Sequence, residues 1–236
     1  MKSQLYLWEG LRDLKKKEII LFKDTFKEKI YPIFSNIENE AENLSNDIYE
    51  EFMSSPCSCE EDFIDPANIA EEATQLGIDY YEKYSLMRYN TLAMWISMLY
   101  QFWEQQVRKF LYDEMGNYFK IEFKKFCANG INDIKEMFKY HNINIEELNC
   151  WEGVDELRLL CNTLKHGDGK SAEQLRNRRP DFFVKDGLEE FDLLSLYNTI
   201  LLEEVLNICE KDYYSFCDIL LCFWDELPER MYSNEL

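Results

Sequence analysis

Apolar positions recur at three- and four-residue intervals along most of this chain. Leu7, Leu11, Leu14, Ile19, Phe22, Phe26 and Ile30 keep helical spacing across the segment from Leu5 to Ile30. Pro32 interrupts that segment, and a second, acidic helix is predicted to run to about Phe52. The stretch from Ser54 to Asp65 reads as a loop carrying Pro56, Cys57 and Cys59. Asp65-Pro66 is a start signal, because Asp supplies an N-cap oxygen and proline lacks only an N–H that would find no intrahelical partner there. From there to Met115 no proline intervenes, and the one interior glycine is Gly77. Within that run Leu92, Trp95, Ile96, Leu99, Phe102, Trp103, Val107, Phe110 and Leu111 form a broad stripe that other helices must cover. Glu104 and Arg108, one turn apart, are spaced to pair on its flank.

Shorter helices are predicted near 118–127 and 131–140, separated by Asn129-Gly130. Asn149 is placed to cap a helix from Trp151 to His166, which Gly167 stops. Ser171-Ala-Glu-Gln174 matches a capping box for a short basic helix ended by Pro180. Phe182-Phe183-Val184, Asp186-Gly187 and Phe191 suit a small hairpin. A final helix through Leu193, Leu196, Ile200, Leu201, Val205, Ile208, Phe216 and Leu220 closes near Trp224. The expected fold class is all-α, a bundle with long antiparallel helices and at most one β-hairpin. An acidic helical extension over residues 1–60 and a helical domain over 61–236 are expected, either distinct or as one continuous domain.

Charge changes this picture. The formal net charge is −20, which repels nucleic acid and anionic membranes at long range unless basic residues cluster. They do cluster: from Ile30 to Glu82 there are 14 Asp and Glu and no Lys or Arg, whereas Lys165 to Arg179 holds five basic and two acidic residues. With no apolar leader and no run of ~18 apolar residues, a cytoplasmic protein with reduced thiols and no membrane association is expected. Among the 8 cysteines, Cys57 and Cys59 are the one close pair, and a matching second half-site is missing. No metal and no cofactor are expected.

On the helix ending at His166, Arg158, Asn162 and His166 stand at i, i+4 and i+8 as one polar stripe, opposite Leu157, Leu160, Cys161 and Leu164. Lys165, Lys170, Arg176, Arg178 and Arg179 are the candidate phosphate or RNA ligands. An imidazole can move a proton to or from a ribose hydroxyl, a cation can hold the phosphate, and an amide can position either. The plainer alternative is that Lys and His are favoured near a helix C-terminus by the dipole, and glycine after it by backbone freedom. His141, in a predicted loop without polar partners, is assigned no role.

The block "LRLLCNTLKHGDG", downstream of a helix bearing "YQFWEQQVRKFL", resembles the HEPN superfamily (higher eukaryotes and prokaryotes nucleotide-binding) over roughly Asp65 to Trp224. Those all-α domains carry a motif often written R-N-x-x-x-H, and Asn162 to His166 matches N-x-x-x-H. Glu104 resembles the acidic residue often found on an earlier helix. The sequence departs from the pattern at Cys161, where the arginine belongs; Arg158 lies close to one turn earlier. The resemblance implies a metal-independent endoribonuclease in a toxin–antitoxin or phage-defence setting, working as a homodimer on RNA with a cognate antitoxin or defence-system protein as possible partner. In that reading His166 is the acid/base, Asn162 positions, and Arg158 binds phosphate. The alternatives are a catalytically inactive HEPN-like module binding a protein, nucleotide or RNA, and a helical scaffold working through its acidic N-terminal surface.

Overall fold

The computed structural model describes residues 3–54, 65–185, 187–188 and 190–233. In chain order the elements are β1 (Gln4–Tyr6), α1 (Glu9–Thr25), α2 (Ile37–Ser54), α3 (Pro66–Gly116), α4 (Ile131–Tyr140), α5 (Trp151–His166), α6 (Lys170–Arg178), α7 (Leu193–Tyr197), α8 (Glu210–Glu226) and β2 (Arg230–Tyr232). The architecture is all-α, with β1 and β2 pairing as a small antiparallel sheet.

Helix α3 is the spine, 51 residues long and so about 75 Å from end to end. It starts where the sequence predicts: the Asp65 side chain accepts the Ala67 N–H at 3.0 Å, and Pro66 opens the first turn. The stripe predicted on its second half is the core, with Ile96, Leu99, Trp103, Val107 and Leu111 fully buried. Helices α1, α5 and α8 cover it. Phe22 of α1 stacks on Phe102 at 4.5 Å, and Phe223 of α8 meets Trp103 edge-on at 4.9 Å. The first part of α3 carries α2 instead. A Cβ on Gly77 would come within 2.9 Å of the Ala41 carbonyl oxygen, so this glycine lets the two backbones touch. Tyr80 donates to Glu40 at 2.9 Å one turn further on.

The N-terminal segment belongs to the same core, since Leu5, Leu7, Ile19 and Phe26 pack in one cluster with the stripe of α3. Residues 4–6 form a strand rather than the first turn of a helix, because Leu5 and Leu7 are both buried and alternate with more exposed neighbours. Leu5 pairs with Met231, and the Ser3 and Ser233 backbones are linked at 3.0 Å. His141, which follows α4, locks this corner from within. Its Nδ1–H donates to the Met137 carbonyl at 2.8 Å, leaving Nε2 to accept from the Ser3 hydroxyl at 3.1 Å.

Several expectations are corrected. The strands lie at the two chain ends, and Pro180–Phe183 forms a 3-10 turn in place of the hairpin's first strand; Asp186 of that hairpin lies outside the described residues. The final helix is two helices, because Asn198 takes a left-handed conformation (φ 58°) that ends α7, and α8 begins only at Glu210. Residues 118–127 are turns and irregular chain, not a helix. Arg108 donates to the carbonyls of Phe126 and Phe123 at 2.7 and 2.8 Å, so it satisfies that loop and does not pair with Glu104. Helix α6 starts at Lys170, which puts Ser171 inside the first turn, and no capping box forms. Asn149 does not cap α5; its amide N–H goes to Glu226 at 2.6 Å. Cys57 and Cys59 lie outside the described residues.

Burial holds the His141 pKa below its ordinary value, against the opposing effect of the Met137 hydrogen bond. The unfolded chain therefore takes up this proton first, and stability falls as pH drops below about 6.5 until the folded pKa is passed. Urea unfolding between pH 7.5 and 5 is expected to show that loss, and His141→Asn is expected to flatten it.

Candidate functional site

Helix α5 forms because its apolar residues face one way: Leu157, Leu160 and Cys161 are fully buried and Leu164 nearly so. Its end is set by Gly167 (φ 73°, ψ −150°), whose N–H still reaches the Thr163 carbonyl at 2.9 Å. That backbone region is open to glycine and strained for other residues. His166 is therefore left on the last turn, exposed, and without a hydrogen bond or ion pair among the described residues. Asn162 is half-buried on the same stripe one turn back, as expected. Lys165 is exposed beside the Cys161 thiol, and Lys170 is exposed at the start of α6.

The arginines are placed differently. Arg158 donates to Asp155 at 2.6 Å, towards the N-terminal end of α5 and away from His166. Helix α6 folds back along α5, so Arg178 reaches the same Asp155 at 2.8 Å, and Arg179 lies near Glu156 (3.6 Å), Asp181 (2.7 Å) and Asp212 (3.2 Å). Arg176 alone of the three turns toward the His166 end. It is held by Asp168 and Asp192, both at 2.6 Å, and its guanidinium lies 4.7 Å from the Phe183 ring. The basic segment thus meets carboxylates drawn from five parts of the chain. Of its five cations, Lys165 and Lys170 carry no ion pair among the described residues.

Asp155 is the residue that sequence reasoning missed. It is buried, and although burial works to raise its pKa, the hydrogen bond and charge of Arg158, joined by Arg178, hold it below the ordinary carboxylate range. The signal was present as the i, i+3 spacing of Asp155 and Arg158. Across from this group on α3, Tyr100 donates to Glu104 at 3.1 Å. Burial and Glu104 push the Tyr100 phenol well above its usual range, and the charge of Arg158 opposes them. Burial also raises the Cys161 thiol; Lys165 lowers it and Glu104 adds to the rise, while Cys161 Sγ lies 3.8 Å from the Ser97 carbonyl oxygen. The charge of Glu104 thus reaches Cys161, while its Oε1 accepts from Tyr100 and lies against Gly130.

A cavity of about 240 Å³ lies elsewhere, lined by Tyr31, Arg88, Tyr89, Lys185 and Glu204 among others. Arg88 is half-buried there with no ion pair among the described residues, and the buried Tyr89 hydroxyl has no partner in hydrogen-bonding geometry. Among the described residues, the grouping of thiols and carboxylates able to hold a metal is Cys150, Cys222 and Glu226, at the far end of α5 from His166. No described helix is long and apolar enough to cross a membrane. No family model matches the chain, no curated protein matches it, and no solved structure matches its fold.

Removing the shared carboxylate leaves Arg158 and Arg178 without it. Asp155→Ala is expected to lower the unfolding free energy by about 2–3 kcal/mol, less than for a fully enclosed pair because Arg178 is the more exposed partner. Because its folded pKa is depressed, the contribution of Asp155 is complete above about pH 4 and is lost as pH falls through the lowered value. Acid titration of the wild type and of Asp155→Asn, followed by circular dichroism, checks the sign.

Proposed function

We propose that this chain is a HEPN-like, metal-independent endoribonuclease whose active site is completed by a second copy of itself. The observation that carries the reading is His166, an exposed imidazole without a described partner, held by Gly167 at the end of a buried helix. Asn162 shares its stripe, and the two lysines beside it are free of ion pairs among the described residues. Further support comes from Glu104, the acidic residue singled out on the earlier helix, whose charge is felt at Cys161, the position that the R-N-x-x-x-H pattern gives to arginine.

In this reading the ribose 2′-oxygen attacks phosphorus as its proton passes to an imidazole. The bond to the 5′-oxygen breaks as that oxygen takes up a proton, and a 2′,3′-cyclic phosphate remains. Two-sided proton transfer calls for two such groups, and one copy offers a single exposed histidine. Lys165 and Lys170 supply positive charge to the phosphate. Arg158 can serve only by leaving Asp155, which shifts the role first given to it toward Lys165. Exposed apolar side chains around the same end suit an interface with the second copy. Met94 and Met98 stand one turn apart on α3, and Leu201 is tied to α3 by the Asn90 side chain at 2.9 Å. A cytoplasmic toxin–antitoxin or phage-defence role, with a cognate antitoxin or defence-system protein as partner, belongs to the same proposal.

The second reading is a catalytically silent helical module that binds a nucleotide, RNA or protein. The carboxylates that occupy Arg158, Arg176, Arg178 and Arg179 favour it, as does the cavity at Arg88.

Incubation of the purified protein with a mixed RNA substrate separates the two. Cleavage is expected to persist in EDTA and to leave 2′,3′-cyclic phosphate ends. His166→Ala is expected to reduce it at least ~1000-fold and Lys165→Ala ~10- to 100-fold, with unfolding midpoints unchanged. Light scattering is expected to give a dimer at micromolar concentration. Intact RNA with wild-type protein, or equal cutting by His166→Ala, leaves the binding reading in its place.

A further inference from the structure

Cys150 immediately precedes α5, while Cys222 and Glu226 stand one turn apart on the last turns of α8. Both thiols are free, and the two Sγ atoms and a carboxylate oxygen all lie within 4.8 Å of one another. Cys222 Sγ is 3.1 Å from Glu226 Oε1, while Glu226 Oε2 accepts the Asn149 amide N–H at 2.6 Å. The carboxylate is therefore aimed: the backbone holds one oxygen and turns the other to the thiols. Cys150 is buried and Cys222 is half-exposed, on the wall of an open cavity of about 580 Å³ that Lys211 and Asp218 also line.

We propose that Cys150, Cys222 and Glu226 form a binding site for a thiophilic divalent cation of the zinc class, with its fourth position open to this cavity. Three arguments lead there. Two sulfurs and one oxygen are a donor set that zinc takes, and tetrahedral bonds of about 2.3 Å to sulfur and 2.1 Å to oxygen place the donors about 3.6–3.8 Å apart. The present separations reach that spacing by movements of about 1 Å or less, within the range of side-chain rotation. The i, i+4 step from Cys222 to Glu226 brings two ligands to one ion from a single helix face. The Asn149 amide does what an outer partner of a metal ligand does, fixing the orientation of the carboxylate.

Charge can be followed through binding. A divalent ion replaces two thiol protons, one from each cysteine, and leaves the site with the single negative charge that the Glu226 carboxylate already carries. Bound, it ties the start of α5 to the end of α8, beside the Asn149–Glu226 hydrogen bond that already joins them. The site is independent of the RNA reading, because it sits at the opposite end of α5 from His166.

Cobalt(II) is the probe. Reduced, chelator-treated protein is expected to bind one equivalent with a sulfur-to-cobalt charge-transfer band and the intense visible bands of a tetrahedral ion, both erased by zinc. Cys222→Ser is expected to remove the charge-transfer intensity from this sulfur and weaken binding at least ~100-fold, and Glu226→Gln to weaken it ~10- to 100-fold. Cys222 is half-exposed, so circular dichroism is expected to show both variants folded. A Cys150→Ala variant, whose buried position puts folding at greater risk, is read alongside Cys209→Ser, an exposed thiol elsewhere that is expected to change nothing. Reduced protein that gives no cobalt spectrum, or a spectrum unchanged in Cys222→Ser, overturns the proposal. So does a Cys150–Cys222 disulfide as the stable form of protein kept under cytosol-like thiol buffer.

Discussion

Burial of one face of α3 is the constraint on which the rest of this structure depends. From Leu92 to Met115 that helix offers more apolar surface than a single neighbour can cover, and α1, α5 and α8 are arranged around it. The consequence for α5 is direct. Leu157, Leu160, Cys161 and Leu164 are spent on this core, which fixes the rotation of the helix and leaves Asn162 and His166 on the opposite side. Cys161 belongs to the same logic: a small apolar side chain fits against α3 at Ser97, where a long charged one would need a route past Tyr100 and Glu104.

The second organising force is excess acid. In a chain of net charge −20, basic residues near the surface find carboxylates within reach, and the segment from Lys165 to Arg179 is no exception. Its arginines, which reach far and make paired hydrogen bonds, are occupied by Asp155, Asp168, Asp181, Asp192 and Asp212. Its lysines are left to solvent. The positive field around His166 is therefore weaker than the local sequence suggests, and it rests on two flexible side chains. Whatever approaches this end of the molecule meets an imidazole and ammonium groups, not a preformed guanidinium fork.

The fold was legible where a local signal had no competitor. Asp65-Pro66, the α3 stripe and the run from Trp151 to Gly167 each combine periodicity with a clear boundary, and the structure places all three as read. Reading failed where a distant partner decides. Leu5 continues a helical pattern in sequence, yet Met231 pairs it as a strand. Residues 193–208 are apolar enough for one helix, but a left-handed Asn198 divides them. The site was legible in the same uneven way. The stripe of Arg158, Asn162 and His166 follows from helical geometry alone; that Asp155 takes both Arg158 and Arg178 depends on α6 folding back, which no spacing along the chain reveals. The Cys150, Cys222 and Glu226 grouping joins two helices far apart in sequence and was invisible for the same reason.

The sheet that joins β1 to β2 gives the molecule a mechanical polarity. Ser3 and Ser233 lie side by side and hydrogen-bond to each other, at the same end of the strand pair. A load applied between these two points acts on the ladder one bond at a time, like a zipper drawn from its open end, before it reaches the bundle. The same load applied between the chain around Phe26 and α8 meets the interlocked rings of Phe26, Trp95 and Tyr213 at once. Stretching from the strand ends thus meets a soft first step and a stiff second one, with the imidazole of His141, hydrogen-bonded to Ser3, at the junction between them.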